Sequence, residues 1–191
     1  MAKRVLIIHG WGGSPNEPML QWLKTKIEQN GWEAVLPEMP DTENPVIEDW
    51  VKKLEEVVED PDKDTILVGH SIGCQTILRY LEKLHPAKRV GSVVLIAPWF
   101  TLTNLESEEG WQIMKPWLNV SIKETDVTKH TPKMVAIFSD NDPFVPEENV
   151  EFFRRRFPDA KIIIEHQKGH FTEEDGVKSL QSALEAILEN R

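Results

Sequence analysis

The chain has 191 residues, 40% of them hydrophobic and 28% charged, with a net charge of −10. This excludes a disordered chain and supports a single domain (residues 1–191) with a real core, while the acidic balance disfavours nucleic acid and anionic lipid as partners. One cysteine, Cys74, excludes an internal disulfide. No apolar run reaches bilayer-spanning length and none resembles a signal peptide, so the expectation is a cytoplasmic protein without a membrane partner.

Taken in chain order, short apolar runs alternate with helical patterns. Arg4–His9 reads as the first strand, and Val5 to Ile8 are apolar throughout, the mark of a strand covered on both faces. A helix over Leu20–Gln29 stops at Asn30 and Gly31, and Glu33–Leu36 is the second strand. Asn44 and Pro45 are expected to open the next helix, whose stripe is Ile47, Trp50, Val51, Leu54, Val57 and Val58. Thr65–Gly69 is a buried strand, followed by a helix over Cys74–Leu84, and Gly91–Ala97 is the fourth strand. Between Pro98 and Thr131 no strand is evident, and Trp99, Trp111 and Trp117 all lie there. So long a connection is either a small helical cap (98–131) over a functional site or a segment whose tryptophans simply pack. Met134–Ser139 and Lys161–Glu165 are the last strands. A helix opens at Pro146, Glu147 and Glu148 and carries Val150, Phe153 and Phe157 on one face; its run Arg154, Arg155, Arg156 reads as a solvated face. The last helix is expected from Thr172, with an acidic first turn and a stripe of Val177, Leu180, Leu184 and Ile187. Strand–helix alternation predicts an α/β fold, a parallel sheet between helical layers.

The segment Gly69-His70-Ser71-Ile72-Gly73 carries the chemistry. It has the Gly-x-Ser-x-Gly pattern at a strand-to-helix turn, the context in which a serine becomes a nucleophile. By chance the pattern occurs in roughly one chain in fifteen of this length, and an ordinary N-cap is the competing reading of Ser71. A nucleophilic serine needs a base and a carboxylate that orients it, and both belong just after parallel strands. Asp140 and Asp142 follow the fifth strand; His166 and His170 follow the sixth. His170 is preferred because it follows a glycine and precedes the last helix, whereas His166 sits close to its strand. His9 and His70 belong to motif loops, and His85 and His130 read as exposed loop residues. Backbone N–H groups of Ile72 and Trp11 are the expected oxyanion donors, the second from the loop His9-Gly10-Trp11-Gly12-Gly13. That loop lacks the spacing of a nucleotide-phosphate loop. Asp60, Asp62 and Asp64 begin like a calcium loop, but Thr65 stands where glycine is needed and Ser71 where glutamate is needed. No metal or cofactor is expected.

Together these pieces resemble the α/β-hydrolase superfamily, and within it the small YdeN-like serine hydrolases, the family of retinoblastoma-binding protein 9. The resemblance rests on His9 to Ser14, the Gly69–Gly73 turn, Ala97-Pro98, the run Ser139 to Pro146 and Gly169-His170-Phe171. It implies a compact three-layer sheet of about six parallel strands in the order 2-1-3-4-5-6. It also implies a Ser71, Asp142, His170 triad, Asp142 being chosen over Asp140 by its Asp-x-x-Val-Pro context, with Asp140 left to cap its turn. The implied activity is esterase-like or aminopeptidase-like hydrolysis of a small ester or amide through an acyl-enzyme. The alternative is a binding protein on a hydrolase scaffold. Trp11, Trp99, Phe100, Trp111 and Trp117 are the expected walls of an apolar substrate pocket. Binding through a Leu-x-Cys-x-Glu segment is not supported, because Cys74 is flanked by Ile72 and Thr76.

Overall fold

The computed structural model describes residues 3–105 and 107–189. In chain order the elements are β1 (Arg4–Ile8), α1 (Pro18–Gln29), β2 (Glu33–Val35), α2 (Ile47–Val58), β3 (Thr65–His70), α3 (Ile72–Lys83) and β4 (Ser92–Ile96). They continue with α4 (Glu108–Asn119), α5 (Glu124–Thr128), β5 (Met134–Ser139), α6 (Glu148–Arg156), β6 (Lys161–Glu165) and α7 (Gln181–Leu188). The strands form one sheet in the order β2-β1-β3-β4-β5-β6, every pair parallel. β3 and β4 are buried at every position, the apolar runs Ile66–Val68 and Val93–Ile96 together with the polar Thr65, His70 and Ser92 at their ends, while the edge strand β6 leaves Ile164 exposed.

Two connections leave the middle of the sheet in opposite directions. The chain runs from β1 outward to β2, but from β3 to β4 on the other side. Right-handed crossovers then place α1 on one face and α3 on the other. Accordingly α7 packs on α1, β4 and β5, and α2 and α5 pack on α3. The crevice where the two directions diverge, at the carboxyl ends of β1 and β3, is where such sheets hold ligands.

Three expectations are corrected. Asn44 and Pro45 do not open α2, which starts at Ile47 with Val46 as its cap residue. Asp41 takes the Asn44 N–H, and the Pro45 carbonyl accepts the indole N–H of Trp117 at 2.9 Å. The last helix begins at Gln181, not after Thr172. Asp175 accepts from the N–H and hydroxyl of Thr172 and from the N–H of His170, closing a turn that Gly176, at φ +78, ends. The whole predicted stripe of Val177, Leu180, Leu184 and Ile187 is nonetheless buried. His130 is buried rather than exposed, with Nδ1 2.7 Å from the carbonyl of Lys88.

The β4–β5 connection holds α4 and α5 and is pinned to the body of the fold. Trp117 lies edge-on to Trp50 at 6.2 Å. Arg79, buried on α3, donates to the carbonyls of Trp117 and Val120 at 2.8 and 2.9 Å, satisfying groups at the end of α4 that have no partner within the helix.

Candidate active site

Ser71 stands on the turn between β3 and α3 with φ +51 and ψ −116. Such a conformation costs a non-glycine residue on the order of 1–3 kcal/mol and persists only where the surroundings impose it. Here they do. A Cβ on Gly69 would lie 2.7 Å from the backbone of Gly73 and Cys74, and one on Gly73 would lie 2.4 Å from the carbonyl oxygen of Ile8. The turn can therefore press against β1 only with glycine at both ends. Although Ser71 occupies the N-cap position of α3, its side chain makes no capping hydrogen bond. The hydroxyl is left for other work, against the N-cap reading.

Asp142 and His170 come from the loops after β5 and β6. Asp142 Oδ2 is 2.8 Å from His170 Nδ1, and its other oxygen accepts the N–H groups of Phe144 and Val145 at 2.9 and 3.0 Å. The carboxylate is almost wholly covered and the imidazole mostly so. Because a carboxylate only accepts, Nδ1 carries the hydrogen and Nε2 presents a lone pair. The two loops are laced together: Lys168 N–H donates to Ser139 Oγ at 3.1 Å and Gly169 N–H to Asn141 Oδ1 at 2.8 Å.

A second histidine–aspartate pair lies close by. Asp140 Oδ2 is 2.7 Å from His166 Nδ1, and Asp140 Oδ1 accepts from Gln167 N–H, so Asp140 latches the neighbouring loop instead of capping its own turn. His166 is 82% exposed, and neither residue borders the cavity that holds Ser71.

That cavity, of about 680 Å³, has Ser71 and His170 in its wall together with Trp11 and Ile72. Ile72 is the first residue of α3, where N–H groups have no partner within the helix. Trp11 is fixed by its indole N–H, which donates to the carbonyl of Glu43 at 2.8 Å, and its ring abuts Gly110 of α4. Of the five aromatic residues expected to line the pocket, Trp11 and Trp99 do so. Phe100, Trp111 and Trp117 do not. Phe100 packs on Phe153 at 4.9 Å beneath the Arg156 guanidinium, Trp117 is buried against Trp50, and the helical period turns Trp111 away from the face that Gly110 and Met114 present to the cavity. Leu102, Leu105, Met114 and Phe144 supply apolar wall that the sequence did not single out.

Two lining residues, Glu17 and His70, also went unnoticed as site residues. Glu17 sits just before α1, where an acidic residue reads as a solvated helix start. His70 is fully buried and its imidazole is pushed down to about 3, chiefly by burial and next by the neighbouring His170. Its Nε2 lies 2.8 Å from the carbonyl of His170 and ties β3 to the last active-site loop. His9, likewise buried, accepts the N–H of Met39 on Nε2 and stands edge-on to Trp50.

A six-stranded parallel sheet of this order, with a serine turn after β3 at the switch point, is the α/β-hydrolase fold. The chain matches the serine hydrolase family model over residues 5–189 and belongs to that family. It is 29% identical over 187 residues to YdeN of Bacillus subtilis (strain 168), covering 98% of this chain and 95% of that protein. It is 27% identical over 165 residues to the serine hydrolase RBBP9 of Rattus norvegicus, covering 85% and 78% respectively. The crystal structure of the B. subtilis ydeN gene product superposes with a TM-score of 0.89 at 27% identity, over 99% of this chain and 98% of that one. Est1E of Butyrivibrio proteoclasticus, solved with ferulic acid bound, shares the fold at a TM-score of 0.76 and 16% identity, over 99% and 89%.

Proposed function

We propose that this chain hydrolyses a small ester or amide through an acyl-enzyme on Ser71. The observation that carries the reading is the buried 2.8 Å bond from Asp142 to His170 Nδ1, which leaves Nε2 as the basic nitrogen in the cavity that also holds Ser71. In this reading His170 Nε2 takes the Ser71 hydroxyl proton as Oγ attacks the carbonyl carbon. The N–H groups of Trp11 and Ile72 receive the developing oxyanion. The tetrahedral adduct collapses, His170 passes its proton to the leaving alcohol or amine, and the acyl group stays on Oγ. Water, deprotonated by the same nitrogen, then releases the acid and restores Ser71. Asp142 stays ionised throughout and holds the imidazolium.

Residues 98–131 serve as a cap in this reading, α4 supplying one cavity wall through Gly110 and Met114. The reaction needs neither nucleic acid nor a membrane; among the described residues no helix is long and apolar enough to cross one, and a cytoplasmic setting is part of this reading, which asks for no disulfide.

Ser71→Ala tests the reading with p-nitrophenyl acetate. Turnover is expected to fall by about a million-fold, and a variant as fast as the parent overturns it. A fluorophosphonate that fails to label Ser71 in the folded parent supports a binding protein instead.

A further inference from the structure

The sheet has two edges, and the chain treats them differently. At one edge β2 is only three residues long. The Glu33 N–H donates to the Lys3 carbonyl, so Glu33 turns its backbone toward β1 and Ala34 turns its own outward. The outward carbonyl of Ala34 is already taken by Lys24 Nζ at 3.0 Å. A short strand with a lysine on its free carbonyl is a blunted edge.

The other edge is open. β6 reads Lys161-Ile162-Ile163-Ile164-Glu165, and among the described residues β5 is its one strand neighbour. The Asp140 N–H donates to the Glu165 carbonyl at 3.0 Å, which fixes the alternation. Lys161, Ile163 and Glu165 turn their backbone groups toward β5, so Ile162 and Ile164 turn N–H and C=O away from the sheet. The strand carries no proline, and its register with β5 is unbroken. Ile164 is 43% exposed, and Ile162 and Ile163 are half-buried. A regular apolar edge with free backbone groups is a template for a further strand.

We propose that β6 is the docking surface for a second copy of this chain, paired antiparallel about a two-fold axis through Ile163. In that register the strand is complementary to itself. Ile163 meets Ile163 of the second copy, Ile162 meets its Ile164, and Lys161 meets its Glu165, the last two contacts repeating on the other side of the axis. Ile162 and Ile164 of the facing copy exchange both backbone N–H···O bonds, so every outward group of the strand finds a partner. Lys161 and Glu165 fall at a position without ladder bonds, where opposed side chains stand closest, and their charges are opposite. Lys161 Nζ is 2.8 Å from Glu189 Oε1 in a surface pair that leaves the ammonium half exposed and able to reach a second carboxylate. Moving the axis to Ile162 or Ile164 sets a charge against isoleucine instead. The product is a single sheet running through both copies, and no residue of β6 borders the cavity of Ser71.

Sedimentation equilibrium of the whole chain across the micromolar range is expected to show a species of twice the 22.0 kDa monomer mass. Ile164→Pro removes an outward N–H that β5 does not use, a change that an edge strand accommodates. The variant is expected to be a monomer with the parent's far-UV circular dichroism. Charge reversal tests the register. Lys161→Glu and Glu165→Lys each set like charges against one another across the axis, and each is expected to raise the dissociation constant roughly tenfold. Mixing the two variants restores opposite pairs, so the mixture is expected to associate as tightly as the parent. A parent that stays monomeric up to millimolar concentration overturns the proposal. So does a folded Ile164→Pro variant that dimerises as the parent does, and so does a mixture no tighter than its components. If Ile164→Pro does not fold, the charge variants and their mixture decide.

Discussion

Each residue of the proposed triad is held in a way that leaves one atom free. Asp142 spends one oxygen on two backbone N–H groups and the other on His170, which fixes the imidazole tautomer and its direction. Asp142→Asn keeps the shape but turns a donor amide or a weaker acceptor toward Nδ1, favouring the wrong tautomer. Turnover of p-nitrophenyl acetate is expected to fall about ten-thousandfold with little change in stability, as steady-state kinetics and urea unfolding on the same sample will show. A loss below tenfold removes Asp142 from the role given it. The neighbouring Asp140–His166 pair shows why a residue list alone is ambiguous: the same two residue types form an equally short contact at the surface, outside the cavity. Burial separates the two pairs.

At the scale of elements, the turn between β3 and α3 depends on missing side chains. Gly73 lies against the carbonyl of Ile8 in β1, so Gly73→Ala drives its methyl into backbone that cannot yield cheaply. Gly31, unlike Gly73, has a positive φ, +77, but nothing lies within 4 Å of the place its Cβ would take. Alanine at Gly31 therefore carries only the conformational penalty, roughly 1–2 kcal/mol, whereas at Gly73 overpacking brings the cost to about 3 kcal/mol or more. Urea denaturation of the two variants checks the order, and equal losses would contradict the packing argument. Helix ends teach a related lesson. Thr172 and Asp175 have the residues and the hydrogen bonds of a helix start, yet no helix follows for several residues, because Gly176, at φ +78, leaves the helical region directly after them.

For the molecule as a whole, the site is stitched to the core by buried histidines that carry no charge. The ordinary value for His70 is 6.5 and its folded value about 3. Between those values the unfolded chain binds a proton that the folded chain refuses, so stability falls as the pH drops through that window. From pH 7 to about pH 4 this single residue contributes a loss on the order of 3 kcal/mol. His70→Asn, which can still donate to the His170 carbonyl, removes the titration but leaves every carboxylate in place. Unfolding in urea at the two pH values is expected to show a smaller acid loss in the variant than in the parent; parallel losses would refute the assignment.

Much of this was legible beforehand for a physical reason. Strands buried on both faces must be apolar at every position, so Val5–Ile8 and Val93–Ile96 declare themselves, and glycines at a strained turn mark Ser71. The order of Ser71, Asp142 and His170 along the chain follows from strand ends that all point one way. Which aromatic faces the cavity was not legible, because Trp99 and Trp117 are equally buried and only the path of residues 98–131 turns one toward Ser71 and the other toward Trp50. The surroundings of Glu17 were hidden for the same reason: beside Ser14 of its own loop stand His70 at the end of β3 and His170 of the loop after β6, and a carboxylate's environment is set by what folding brings around it. The sequence alone thus determined the sheet and the candidate triad, since those depend on local pattern and chain order; the tertiary structure alone decided the cavity's shape and charge, since those depend on residues distant in the chain.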